Sequence, residues 1–160
     1  VSTAFYPGSF DPIHNGHIAV VNSAAKIFET VVIGVGNNPA KTNYLLNQDE
    51  RFSLASNCFS TIDNVKVIKF EGLTTEAAMS VSADCLIKGI RSGSDLDDEM
   101  LQAKINYETG NSLTTVFLPA INEFGLVSST YLRQVTLAGG DLSKLVPVQV
   151  SEYLAERQNK

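Results

Sequence analysis

Short blocks rich in β-branched and other apolar residues alternate with segments at helical spacing along this 160-residue chain, and that alternation constrains the fold most. The blocks are Ser2–Tyr6, Thr30–Gly36, Val65–Phe70, Asp84–Ile90 and Thr114–Leu118. Continuous apolar runs of this length suit strands covered on both faces. Helical spacing predicts Gly16–Phe28, with Ile18, Val21, Ala25 and Phe28 on one face, and Gln48–Thr61 behind an Asn47 cap answered by Glu50. Thr74–Val81 reads as a short helix. Ser94 is expected to cap Asp95–Glu108, with Asp95, Asp97, Asp98 and Glu99 in a first turn where negative charge suits the helix dipole. A further helix starts at Ser128 or Ser129 and stops before Gly139-Gly140, and Pro147 opens a last one through Arg157. This order implies an α/β fold: one doubly wound domain, residues 1–160, on a parallel sheet with right-handed crossovers.

Composition narrows the class. An apolar share of 44% and a charged share of 18% are ordinary for a globular protein. No apolar run approaches the roughly 18 residues of a membrane helix, and Val1-Ser2-Thr3 does not open a signal peptide. Cys58 and Cys85 are too few for a disulfide framework or a zinc site, and are expected to be reduced, buried small hydrophobes. A cytoplasmic protein is the expectation, with no membrane partner. The net charge of −5 argues against a general nucleic-acid surface.

The chemistry concentrates in Tyr6-Pro7-Gly8-Ser9-Phe10-Asp11-Pro12-Ile13-His14-Asn15-Gly16-His17, between the first strand and the first helix. A strand–loop–helix junction of this kind presents backbone N–H groups and a helix N-terminus to an anion. His14 and His17, three apart, admit three readings: helix capping, part of a metal site without recognisable further ligands, or donation from His17 to a phosphate. The parts supplied elsewhere in the chain favour the last. Gly34-Val35-Gly36-Asn37-Asn38-Pro39 starts like a dinucleotide fingerprint, but Pro39 stands at the third glycine and no helix follows. No G-x-x-x-x-G-K-[ST] sequence occurs.

Ser9-Phe10-Asp11-Pro12 followed by Asn15-Gly16-His17 resembles the signature of the nucleotidyltransferase superfamily that carries (H/T)-x-G-H. Further segments resemble the phosphopantetheine adenylyltransferase family over nearly the whole chain. They are Pro39-Ala40-Lys41, Glu50-Arg51, Lys88-Gly89-Ile90-Arg91, Asp95, Glu99-Met100 and Val127-Ser128-Ser129-Thr130. Enzymes that adenylylate nicotinate mononucleotide share the first motif, but Lys88-Gly89-Ile90-Arg91 favours the pantetheine branch. The chain departs from the commoner pattern at Lys88, where arginine is frequent, at His14, where threonine is common, and at the less aromatic Phe124-Gly125-Leu126.

The resemblance implies a Rossmann-like sheet in the order 3-2-1-4-5, with helices at the C-terminus. It implies adenylyl transfer from ATP to 4′-phosphopantetheine, giving dephospho-coenzyme A and pyrophosphate. His17 would stabilise the transition state, with Lys41 and Arg91 as further catalytic residues. Ser9, Lys41, Thr74 and Lys88 would hold the acceptor. ATP would meet Ser9, Phe10, His17, Gly89, Ile90, Arg91, Glu99, Phe124, Gly125, Leu126, Val127, Ser128, Ser129 and Thr130. Mg²⁺ is expected through ATP, with no metal ligands from the protein, together with coenzyme A as a feedback ligand and a homohexamer. Two other readings remain: a transferase using CTP or another phosphate acceptor, and a non-catalytic nucleotide sensor.

Overall fold

The structure is a computed structural model that describes residues 2–120 and 127–159. In chain order the elements are β1 (Thr3–Gly8), α1 (Asn15–Ile27), β2 (Thr30–Asn37), α2 (Gln48–Phe59), β3 (Val65–Glu71), α3 (Thr74–Ser80), β4 (Cys85–Ile90), α4 (Gly93–Thr109), β5 (Thr114–Pro119), α5 (Ser129–Leu137) and α6 (Val148–Gln158). The strands form one five-stranded sheet in the order β3-β2-β1-β4-β5, parallel throughout. Phe124, Gly125 and Leu126 lie outside the described residues.

Alternation along the strands divides the core between two faces. Ala4, Tyr6, Val31, Ile33, Val35, Cys85 and Ile87 pack against Val20, Val21 and Ala24 of α1, Leu54, Ala55 and Phe59 of α2, and Leu132, Val150 and Leu154 of the last two helices. The intervening residues Phe5, Val32 and Leu86 meet Ala77, Ala78 and Leu113 on the other face. Each fully buried Val, Leu or Ile is worth about 1.5–3 kcal/mol, so the first face carries most of the apolar stabilisation. α4 covers the second face without burying any of its own residues.

Gly34 and Gly36 have a packing role. A Cβ on Gly34 would stand 2.2 Å from Phe5 Cζ, and one on Gly36 would stand 3.0 Å from Phe70 Cζ. The glycines make room for these two rings, which meet edge to face at 5.7 Å. The apparent fingerprint therefore begins inside β2, where no phosphate-binding turn exists.

The helix starts differ in kind. Asn47 caps α2 as expected, its side chain accepting from the Glu50 N–H at 2.9 Å while Glu50 accepts from the Asn47 N–H at 2.7 Å. Glu50 also receives the Tyr153 hydroxyl at 2.6 Å and the Arg157 guanidinium, which docks α6 onto α2. The expectation for Ser94 is corrected: α4 begins at Gly93 behind Ser92, which makes no side-chain capping bond. Ser94 instead shares a hydroxyl contact of 2.8 Å with Ser92. Only Asp95 of the four acidic residues then stands in the first turn. Cys58 and Cys85 are free thiols, Cys85 buried and Cys58 half-buried.

Candidate active site

β1 stays in register with β2 through Gly8↔Val35, and β4 with β5 through Ile90↔Pro119. Between themselves β1 and β4 pair only at Ala4↔Cys85 and Phe5↔Leu86. Beyond Phe5 the two halves of the sheet part, and Pro7, without an N–H, has no donor to extend the ladder. The chain leaves β1 into α1 on one face and leaves β4 toward α4 on the other. A crevice at the carboxyl ends of such diverging strands is the ligand site of open α/β sheets.

The loop after β1 is fixed from several sides. Phe10 has φ of 50° and Asp11-Pro12 is a cis peptide. A non-glycine residue at positive φ needs outside support. The buried Asp11 carboxylate accepts the Leu45 N–H at 2.8 Å and the Leu46 N–H at 2.9 Å. Arg51 is fully buried beneath the loop. Its guanidinium donates to the Ser9 and Gly36 carbonyls, both at 2.7 Å, and to the Leu46 carbonyl at 3.1 Å. It also lies over the Tyr44 ring at 4.2 Å. Burial opposes the Arg51 charge, and the Asp11 carboxylate answers it. From α5, Arg133 donates to the Asp11 carbonyl at 2.9 Å and Ser129 to the Pro12 carbonyl at 3.1 Å.

This support delivers the histidines in a defined state. His14 is the N-cap of α1, and its Nδ1 accepts from the Gly16 N–H at 3.1 Å and the His17 N–H at 3.4 Å. His17 Nδ1 accepts in turn from the His14 N–H at 3.1 Å. With both Nδ1 atoms acting as acceptors, a neutral ring carries its proton on Nε2. The rings stack at 3.7 Å, and the Phe10 ring meets His17 edge-on at 4.8 Å. Burial pushes His14 down to about 4, with help from Arg91. Burial, then His14 and Arg91, holds His17 well below the usual histidine range. Both are therefore neutral Nε2–H donors at pH 7.

The crevice has two lobes. One, of about 260 Å³, is lined by His14, His17, Gly89, Arg91 and Glu99, and by Ser128, Ser129 and Thr130 at the start of α5. The other, of about 570 Å³, is lined by Ser9, Asn37, Tyr44, Thr74, Gln102 and Asn106 among others. Pro7 and Lys88 line both, so Lys88 stands at the junction. Its ammonium is 3.2 Å from Glu99 Oε2, and Arg91 is 3.2 Å from Asp95 Oδ2. Gly89 is required beside them, because a Cβ there would press on Val20 Cγ2 at 3.0 Å.

The structure thus gathers His17, Gly89, Arg91, Glu99, Ser128, Ser129 and Thr130 around the smaller lobe, and Ser9 and Thr74 around the larger. Ser9 does not reach the described lining of the smaller lobe. Phe10 is buried and acts as a support for His17. Ile90 and Val127 are not among the described lining residues of either lobe, and the Val127 carbonyl accepts from Arg91 at 3.4 Å. Lys41 is not among the described lining residues of either lobe; its ammonium lies 4.7 Å over the Tyr44 ring at the rim of the larger one. Sequence reasoning gave no role to Arg51, Arg133, Tyr44, Gln102 or Asn106. The Glu50-Arg51 pair was a signal, but a single arginine in an amphipathic helix reads as surface until its carbonyl partners are known. Among the described residues no group of three or more His, Cys, Asp or Glu side chains is placed to hold a metal ion.

A family model described as cytidylyltransferase-like matches residues 5–135. A phosphopantetheine adenylyltransferase of Allorhizobium ampelinum is 39% identical over 98% of each chain, and one of Rhizobium etli is 37% identical over 99% of each. The chain belongs to the cytidylyltransferase-like family and, within it, to the family of the phosphopantetheine adenylyltransferases. A solved structure from Vibrio parahaemolyticus, assigned as a nicotinate-nucleotide adenylyltransferase, superposes with a TM-score of 0.71. It covers 96% of this chain and 97% of its own, at 20% identity, and so speaks for the fold alone.

Proposed function

We propose that the chain, acting as one nucleotidyltransferase domain, transfers the adenylyl group of ATP to 4′-phosphopantetheine, the penultimate step of coenzyme A synthesis. The observation that carries this reading is the two-lobed crevice with Lys88 at its junction and the His17 Nε2–H donor on one wall. A phosphate oxygen of the acceptor attacks the α-phosphorus. One P–O bond forms, the bond from the α-phosphorus to the bridging oxygen of the β-phosphate breaks, and pyrophosphate leaves with that electron pair. The nucleophile is already an anion, so no general base is needed. The protein's work is to align two anions and to neutralise the charge between them.

The smaller lobe takes the nucleotide and the larger the acceptor. His17 donates from neutral Nε2–H to the α-phosphate, Arg91 supplies positive charge on the nucleotide side, and Lys88 faces both substrates. Ser9 and Thr74 meet the acceptor, and Ser128, Ser129 and Thr130 offer hydroxyl and N–H donors at the start of α5. Lys41 approaches the acceptor phosphate by leaving its perch on Tyr44. Mg²⁺ would be held through the triphosphate and would offset the charge of the departing pyrophosphate. Glu99, which lines the crevice, is paired with Lys88, and Asp95 with Arg91.

The apolar residues Leu96, Met100, Leu101 and Ile105 of α4, all exposed, support a homohexamer in which this face is covered. Coenzyme A, which contains the acceptor's arm, binds in the same crevice as a feedback ligand. No described helix is long and apolar enough to cross a membrane, which supports a cytoplasmic enzyme. Pyrophosphate release with 4′-phosphopantetheine, nicotinate mononucleotide and glycerol 3-phosphate, each with ATP and with CTP, tests the reading. Turnover with ATP and 4′-phosphopantetheine is expected; turnover only with another pair would overturn it, as would nucleotide binding without turnover.

A further inference from the structure

Lys88 is the charged side chain common to both lobes, and in this structure its ammonium is already engaged. Glu99 Oε2 stands 3.2 Å away, and the two side chains are 25% and 28% exposed. That oxygen has almost no contact with solvent and makes no hydrogen bond within the described structure, so the contact with Lys88 is one of charge without directed geometry. A shielded carboxylate oxygen in that condition is poorly compensated for its lost hydration. One helical turn earlier, Asp95 pairs with Arg91 at 3.2 Å in a more exposed position. Both carboxylates stand on α4.

We propose that Glu99 is the resident counter-anion of Lys88, holding the ammonium at the junction while the crevice is empty and yielding it to the phosphate of the acceptor. A phosphate dianion displaces a single carboxylate, whereas an acceptor arm without phosphate does not. Glu99 thereby tempers the affinity of the larger lobe for the acceptor phosphate and leaves an arm without phosphate unaffected. This assignment rests on the acceptor reading above and adds to it a residue on α4 that competes with the acceptor phosphate for Lys88.

Calorimetric titration of the full chain with 4′-phosphopantetheine and with pantetheine, comparing wild type, Glu99→Gln and Asp98→Asn, tests the proposal. Glu99→Gln should bind 4′-phosphopantetheine about three- to tenfold more tightly and pantetheine unchanged. Asp98→Asn, which removes an equal charge from an exposed position on the same helix, should stay within about twofold of wild type. Weaker or unchanged binding of 4′-phosphopantetheine by Glu99→Gln would overturn the proposal. So would an equal gain for pantetheine, or an equal gain from Asp98→Asn. If the wild-type protein binds ATP but not 4′-phosphopantetheine, the acceptor reading fails on its own. Titration with inorganic phosphate then decides for Glu99: tighter binding by Glu99→Gln supports its role as counter-anion and no change overturns it.

Discussion

Two of the helices that line the crevice, α1 and α4, are held in opposite ways. α1 buries Gly16, Val20, Val21 and Ala24 and begins with a reciprocal cap made by two histidines. α4 buries none of its residues, lacks a side-chain cap, and meets the end of β4 through Lys88–Glu99 and Arg91–Asp95. The difference teaches where rigidity is needed. A donor for charge that develops during reaction must be in place beforehand, because reorganising it would add to the barrier. Cations that receive a charged substrate can instead be kept neutralised by an element that yields. The α1 side is preorganised and the α4 side adjustable.

The largest effect should come from the support of the rigid side. Arg51→Met leaves the Ser9, Gly36 and Leu46 carbonyls without their donor and Asp11 without its countercharge, and should cost about 3–5 kcal/mol in denaturant unfolding. A loss below about 1 kcal/mol would mean that the loop is held by Asp11 and Arg133 alone. His17→Ala should lower kcat by about 10²–10³-fold, the scale for losing one preorganised donor, with the ATP Kd changed by less than about threefold. Equal losses in rate and affinity would move His17 from the transition state to ground-state binding.

Acid provides a third test. Burial lowers His14 from 6.5 to about 4 and lowers His17 as well, so an unfolded chain takes up protons that the folded one refuses. Their contribution to stability is intact above the unfolded value and falls as pH drops below about 6.5, by up to about 1.4 kcal/mol per pH unit for each histidine. His14 adds no further loss once pH is below about 4. His14→Thr puts a capping oxygen in place of Nδ1 and removes one of these protonation sites, so it should flatten the acid limb while changing stability at pH 7 by under about 1 kcal/mol. The smallest effect belongs to the adjustable side. Asp95→Asn breaks a part-exposed ion pair and should change stability by less than about 1 kcal/mol. Amide exchange should be faster in the uncapped first turn of α4 than in the capped first turn of α1; the reverse order would remove the contrast between them.

The alternation of apolar blocks and helical periods placed each strand within two residues at either end, because a strand covered on both faces leaves a pattern in its own local sequence. Helix starts were legible where the cap is a local exchange, as at Asn47 and Glu50. They failed at α4, where Ser94 had the right chemistry but the helix begins two residues earlier than expected, at Gly93, and Ser92 stands at the cap position. The double role of His14, as cap and as the fixer of its neighbour's tautomer, needed the backbone geometry of the turn.

By itself the sequence determined the class of fold and the family, and it singled out the loop after β1 together with Lys88 and Arg91 as segments to be sought around one crevice. These are local properties of residue type, order and spacing. The tertiary structure decided that β1 and β4 part after Phe5, that Arg51 is a buried post beneath the loop, and that Lys41 rests on Tyr44 outside the described lining. It also decided that Glu99 faces Lys88 across the junction. Each of these depends on groups distant in sequence becoming neighbours, and on the burial that then sets the strength of their charges.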